Sequence, residues 1–152
     1  MVLRAVTSDD MYLLFQWVND PDSRVSSTSG ELITWDQHVT WFLNMLNSQN
    51  HWAYILQKNN EPCGIIRFQS SNGENTLSYS IAPQFRGLGL SKILLELGLK
   101  MFAGESGNHK VSGLISKENT KSQKAFLRVG FKEVGNVTVG KRIFKKYCLT
   151  IV

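Results

Sequence analysis

The residues best suited to chemistry lie in one stretch, Tyr79-Ser80-Ile81-Ala82-Pro83-Gln84-Phe85-Arg86-Gly87-Leu88-Gly89-Leu90-Ser91-Lys92. An apolar, strand-like segment runs into a glycine-rich turn, and the turn opens directly into a leucine-rich helix. The first turn of a helix has N–H groups with no internal partner, so it attracts anions. Gly87 and Gly89 remove side chains from the approach, and Arg86 adds positive charge. Two familiar phosphate loops do not fit. The dinucleotide fingerprint needs a third glycine where Lys92 stands, and the P-loop needs four residues between its glycines, where this chain has only Leu88. What remains is the pattern Gln/Arg-x-x-Gly-x-Gly/Ala, written here as Gln84-Phe85-Arg86-Gly87-Leu88-Gly89. A plain strand–turn–helix junction that needs glycine for its turn is the alternative.

A second segment, Glu118-Asn119-Thr120-Lys121-Ser122, precedes Ala125-Phe126 and Gly130-Phe131. Asn119 stands at a strand end and a helix start, where its amide can cap the helix and reach a ligand. Gly130 suits a helix C-terminus.

The elements that position these residues follow from periodicity and turn chemistry. Leu3 to Val6 reads as a strand, and a helix starts at Ser8-Asp9-Asp10 and ends at Asn19-Asp20-Pro21. Residues 22–33 read as loop. Thr34-Trp35-Asp36-Gln37 matches a capping box that opens a second helix. Three strands follow as a meander: Trp52 to Gln57, Cys63 to Gln69 and Thr76 to Ala82. Then come a helix from Leu90 to Phe102, a strand from Lys110 to Ser116, and a helix from Asn119 to Val129. Two strands close the chain, Phe131 to Val139 and Arg142 to Ile151. The order β-α-α-β-β-β-α-β-α-β-β describes an α/β domain with a mixed, largely antiparallel sheet flanked by helices, spanning residues 1–152 as one unit.

Bulk properties narrow the class. The chain of 152 residues is 42% hydrophobic and 19% charged, which suits a packed core rather than disorder. No apolar run is long enough to span a membrane, and the N-terminus does not read as a signal peptide, so a cytoplasmic protein without membrane contact is expected. Cys63 and Cys148 sit in apolar strand settings and read as buried hydrophobes. His38, His51 and His109 are too scattered for a metal site, so no metal is expected. The net charge of +5 is spread along the chain. Nucleic-acid binding would want it clustered, so no nucleic-acid partner is expected. A mildly basic chain does suit a polyanionic cofactor.

The glycine loop, the Asn119 segment and the element order together resemble the GCN5-related N-acetyltransferases (GNAT). The resemblance is strongest from about residue 52 to 150. It implies acetyl transfer from acetyl-CoA, as co-substrate, to an amine by direct attack on the thioester. It implies that Gln84 and Arg86, Gly87, Leu88, Gly89, Leu90, Ser91 and Lys92 hold the pyrophosphate. Ile81 and Ala82 would offer backbone groups to the pantetheine arm and the oxyanion, and Asn119 and Ser122 would line that arm.

Two departures from the family pattern bear on catalysis. Many members carry a tyrosine acid seven residues after the asparagine, where this chain has Phe126. Ser122, Tyr147 or water are the substitutes. The strand Leu77-Ser78-Tyr79-Ser80-Ile81 also lacks the frequent glutamate base. His38 is the candidate base because histidine titrates near neutral pH, with an ordered water chain as the alternative.

The acceptor site should come from the N-terminal third. Trp17-Val18-Asn19-Asp20, Arg24 and His38-Val39-Thr40-Trp41-Phe42 resemble the UDP-4-amino-sugar N-acetyltransferases of pseudaminic acid-type pathways. That resemblance implies a nucleotide-sugar acceptor, with Trp17 and Trp41 against base or sugar, Arg24 on the diphosphate, and Asn19, His38 and Tyr79 nearby. Core packing is the competing reading for the tryptophans. An acetyltransferase acting on protein N-termini, one acting on aminoglycosides or polyamines, whose cationic acceptors would favour an acidic pocket where the N-terminal acids are few, and a non-catalytic acyl-CoA-binding domain are the other functions in view. A monomer or a homodimer is expected.

Overall fold

A computed structural model describes all residues from Met1 to Val152. In chain order the elements are β1 (Val2–Ala5), α1 (Met11–Val18), α2 (Pro21–Ser26), α3 (Trp35–Leu46), β2 (His51–Lys58), β3 (Glu61–Ser71) and β4 (Glu74–Ile81). There follow α4 (Leu90–Ser106), β5 (Lys110–Ser116), α5 (Thr120–Val129), β6 (Lys132–Val139) and β7 (Arg142–Thr150). They form one sheet in the order β1-β2-β3-β4-β5-β7-β6, antiparallel except where β4 meets β5. The fold is the mixed α/β arrangement expected from the element order. No helix is long and apolar enough to cross a membrane.

One element was not anticipated. Asn19-Asp20-Pro21 ends α1, but it also starts α2, because Asp20 caps Ser23 N–H at 3.2 Å and Pro21 takes the first helical position. Proline is compatible with that position because its missing N–H is one the helix would leave unpaired. The α3 capping box forms as read: Thr34 and Gln37 exchange side-chain and backbone hydrogen bonds. A short 3-10 turn, Ser8–Asp10, leads into α1, closed by Asp10 bonding back to Thr7 N–H and to Arg4.

The sheet has two differently covered faces. Strand residues alternate, so Ile66, Phe68, Tyr79 and Ile81 point one way while Ile65, Arg67, Ser78 and Ser80 point the other. The first face carries α4 and α5, with Leu94, Leu95, Leu99 and Phe102 packed on Ile66 and Phe68. Helix α4 lies close because residue 98 is glycine: a Cβ there would fall 2.7 Å from Ile66 Cδ1. The second face carries α1 and α3, with Leu14, Trp17, Phe42 and Met45 packed on Ile55 and Ile65. Burying each such side chain contributes roughly 1.5–3 kcal/mol. Cys63 is buried and unbridged, and Cys148 is half-buried.

Candidate active site

The parallel pair β4 and β5 shares a register at one position, Thr76 opposite Ser112. Beyond it the strands part. On its other side β4 stays zipped to β3, and Ala82 N–H donates to the Cys63 carbonyl at 2.9 Å. Antiparallel alternation then turns the backbone groups of Ser78, Ser80 and Ala82 towards β3, and those of Tyr79 and Ile81 into the opening. The two backbone positions expected to face a cofactor therefore separate. Ile81 faces the opening, whereas the Ala82 N–H is used within the sheet.

The glycine loop sits at the head of this opening. Gly87 and Gly89 have φ of 78° and 73°, the left-handed region where a side chain is strained. A Cβ at either would meet no atom within 4 Å, so the ground above both glycines is open. Gly89 is the N-cap of the long helix α4, and no side chain caps that end. Its first N–H groups are thus available to an anion, and the cradle fits a pyrophosphate. Leu88 is exposed between the glycines, Leu90 is buried under the loop, and Lys92 pairs with Glu96 at 3.7 Å. Gln84 lies in a 3-10 turn, Pro83–Phe85, just before the loop.

Arg86 is placed differently from the expectation. Its guanidinium bonds Asp20 at 2.7 Å and Asp22 at 3.1 Å, and its Nε donates to the Ile81 carbonyl at 3.1 Å. It ties the loop to the N-terminus of α2, with its charge already paired, instead of standing free for phosphate. Burial alone would raise the Asp20 carboxyl, but Arg86 and the Ser23 N–H outweigh it and hold Asp20 below the ordinary carboxylate range.

Asn119 caps α5, accepting from Ser122 N–H at 3.2 Å, and its amide donates to Ser26 Oγ of α2 at 3.4 Å. Ser122 Oγ and the Tyr79 hydroxyl are 2.8 Å apart. Burial raises the Tyr79 phenol, while hydrogen bonds from Ser122 and Ser91 pull the other way and the net shift is upward. Tyr79 belongs to β4, Ser91 to the start of α4 and Ser122 to the start of α5, so three hydroxyls meet beside the opening. The sequence reading named all three residues without seeing that they form one group.

The Phe126 departure now has a physical account. Its ring is stacked on Phe131 with centroids 4.3 Å apart and on Tyr79 at 6.0 Å, and it covers Gly113, where a Cβ would fall 2.7 Å from the ring. Tyr147 packs its edge on Phe126 at 5.6 Å, almost wholly buried, with its phenol raised by burial and by Glu133 of the outer strand β6. That surrounding gives Tyr147 a core role, and the hydroxyl beside the opening belongs to Tyr79.

His38 is corrected as well. It is 2% exposed and enclosed by Phe15, Trp35, Trp41 and Phe42, and its Nε2 is 2.7 Å from the Met11 carbonyl. The ring therefore donates from Nε2. Burial, partly offset by that hydrogen bond, holds its pKa below the ordinary value. A histidine closed in this way supports α1 and α3 and has no route to a substrate proton. Trp17 lies in the same core cluster. Asn19 clamps the α2–α3 loop, exchanging hydrogen bonds with Ile33 N–H and C=O at 2.8 and 2.7 Å. Arg24 is similarly turned inward: Nε donates to the Val18 carbonyl at 2.5 Å and Nη1 to Glu31 at 3.1 Å.

Sequence reasoning missed Arg67. It stands on β3 opposite Ser78, with its guanidinium carbon 4.7 Å above the Trp41 ring. The side chain is half-buried, and its desolvation, with Arg24 nearby, pushes its pKa down to about 10. The signal was present as a lone charge inside the apolar run Cys63-Gly64-Ile65-Ile66-Arg67-Phe68.

Solved structures with the same fold share almost the full length of the chain. A spermidine N-acetyltransferase from Vibrio cholerae, in complex with CoA and spermine, superposes with a TM-score of 0.87 at 16% identity, over 98% of this chain and 94% of that one. An aminoglycoside acetyltransferase in complex with coenzyme A and kanamycin gives 0.82 at 19% identity, over 98% and 94%. At these identities the likeness establishes the fold alone. The acetyltransferase (GNAT) domain family matches residues 1–132, and the chain belongs to that family. An uncharacterized protein of Methanocaldococcus jannaschii is 25% identical over 138 residues; the match takes in 88% of this chain but only 28% of that protein.

Proposed function

We propose that the domain transfers acetyl from acetyl-CoA to an amine, and that the amine is the 4-amino group of a UDP-linked amino sugar. The observation that carries the acetyl-transfer reading is the β4–β5 opening, headed by the uncapped α4 N-terminus and flanked by the Tyr79–Ser122 hydroxyl pair. The residues suit the reaction. The loop from Gly87 to Lys92 holds the pyrophosphate by backbone N–H groups, and Ile81 presents its N–H to the pantetheine or the developing oxyanion. The neutral amine attacks the thioester carbonyl from the face opposite α4, where Ser78 and Ser80 point. Tyr79, kept protonated by burial, donates its proton to the departing thiolate, and Ser122 orients it. No carboxylate or accessible histidine stands by the amine, so water takes its proton.

The UDP-sugar reading is supported by Trp41, half-buried on that face with the Arg67 guanidinium over its ring. The spermidine and aminoglycoside enzymes that share the fold act on cationic acceptors, which favour acidic pockets. Here the nearby carboxylates are already engaged: Asp20 and Asp22 with Arg86, and Glu74 with Lys146 at 2.7 Å. The test is thiol release from acetyl-CoA with a panel of UDP-4-amino sugars, peptides with free N-termini, polyamines and aminoglycosides. Turnover of the UDP-amino sugar at least about 100-fold above the others in kcat/KM is expected. Preference for peptides turns the reading to N-terminal acetylation, and CoA binding without turnover on any amine turns it to a binding module.

A further inference from the structure

We propose that the acceptor carries an anionic group, a carboxylate or a phosphate, and that Arg67 and His51 bind it in a small pocket beside Ser78 on the α1–α3 face of the sheet. The inference rests on the reading that the domain acetylates an amine, and it is independent of the amine's being a UDP-sugar.

Three observations converge on this pocket. First, Arg67 is a half-buried cation with no anion. None of the protein's ion pairs includes it, and it makes no side-chain hydrogen bond; its one partner is the Trp41 ring. Partly shielding a guanidinium from water with no counter-charge beside it leaves its charge free to pair with a ligand, and the aromatic face beneath it holds it in place. The field of Arg24 opposes Arg67.

Second, a second unpartnered polar group lines the same pocket. His51, Arg67, Gln69, Thr76 and Ser78 surround it, and His51 Nδ1 is buried with no hydrogen-bond partner. In the Nδ1–H tautomer it is a donor. The pocket therefore offers a guanidinium, an imidazole N–H and two hydroxyls, a set matched to carboxylate or phosphate oxygens. The carboxylates of the neighbourhood do not fill it. Glu74 is held by Lys146 and Ser112, and Glu105 by the Tyr54 hydroxyl at 2.5 Å.

Third, the position is right for an acceptor. Arg67 lies opposite Ser78, three residues before Ile81 on β4. At about 3.3 Å per strand residue this places the pocket roughly 10 Å from the backbone group that faces the thioester. A small molecule with an amine at one end and an anion at the other spans that distance.

The test uses the full chain saturated with acetyl-CoA and pairs of acceptors that share an amine and differ in the anion. The pairs are the UDP-4-amino sugar against the free amino sugar, glucosamine 6-phosphate against glucosamine, and an amino acid against its amide. The expected result is that in at least one pair the anionic member exceeds the neutral one by about 100-fold in kcat/KM. Arg67→Met should erase that ratio through KM, with kcat within a few-fold, and Arg67→Lys should recover part of it. Which pair responds separates phosphate from carboxylate. A second readout needs no turnover. Arg67→Met should leave the CoA-saturated protein cooperatively folded, melting within a few degrees of the wild type. It should also lose the stabilisation that pyrophosphate or malonate confers on the CoA-saturated wild type. Neutral or polycationic acceptors used as well as anionic ones would overturn the proposal, as would an Arg67→Met variant that keeps the ratio. If a different anionic amine is the substrate, the UDP-sugar reading fails and this one stands. If Arg67→Met acetylates the UDP-sugar at wild-type KM, the reverse holds.

Discussion

The two faces of the sheet handle charge by different means. On the α4–α5 face, the loop that suits an anion is built from backbone, with glycines in left-handed geometry and the open end of a long helix. On the α1–α3 face it is built from side chains, Arg67 with His51 behind it. Backbone N–H groups are paired with water when empty and cost the fold little. A half-buried guanidinium without a counter-charge is a standing charge that only an anionic partner completes. The first design suits a cofactor shared by many enzymes, and the second suits a selective acceptor.

The strongest way to break this comparison is Gly89→Trp. The substitution forces a bulky side chain into φ 73° above the pyrophosphate cradle, at a strain of about 1–2 kcal/mol that leaves the fold standing. CoA affinity by titration calorimetry should fall at least about 100-fold while the melting curve stays cooperative. Unchanged affinity would remove the loop from the site. Next in size is Tyr79→Phe. It should lower kcat about ten- to a hundredfold with CoA affinity intact, and Ser122→Ala should do less. Because burial raises the phenol, the acid form persists well into alkaline pH, so the wild-type rate should hold there. Equal losses in kcat and CoA binding would make Tyr79 a packing residue.

His38→Ala sharpens the other side. It opens a cavity among four aromatic rings and loses the Met11 hydrogen bond, so about 2–4 kcal/mol of stability should go. The pH profile of kcat should not move. The folded-state pKa of His38 is lowered, so the unfolded chain takes up a proton that the folded one refuses. The stability of the wild type should therefore be complete above about pH 6.5 and decline below it, and the variant should keep only the part of that slope that His51, also lowered by burial, contributes. A shifted rate profile would restore His38 as the base. The smallest effect belongs to Asp20→Asn. The pair with Arg86 is partly exposed, so about 1 kcal/mol is expected. The Asp20 pKa is lowered, so its contribution is present above about pH 4 and fades as the pH falls through the folded value. Acceptor KM should rise more than CoA Kd; the opposite order would mean that Arg86 serves the cofactor directly.

The cofactor face was largely legible in the sequence, because its chemistry depends on local spacing. Gly87, Gly89 and Asn119 declare a turn and a cap within a few residues. The acceptor face was not, because its contacts are long-range. Asp20 meets Arg86 and Arg67 meets Trp41 only once the sheet has formed. His38 looked catalytic because its ionisation range suits a base, yet burial among rings that the sequence places beside and before it settles its role. Asn19-Asp20-Pro21 looked like a stop and is also a start, since a capping aspartate followed by proline serves both ends.

The single register pair between β4 and β5 has a consequence for the protein's life in the cell. It divides the sheet into two leaves, β1–β4 and β5–β7, joined along the seam by one rung, by bonds of the Glu74 and Asn75 side chains with Ser112, Lys146 and the Lys110 carbonyl, and by the packing of α4 and α5. A ligand that lies in the seam acts as a missing strand. By mass action, acetyl-CoA at a hundred times its Kd adds about 2.7 kcal/mol to stability. Amide exchange along Tyr79 and Ile81 should slow on loading, and resistance to proteolysis should rise with it. Nutritional state, through the acetyl-CoA pool, would then set how much of the protein survives as well as how fast it works.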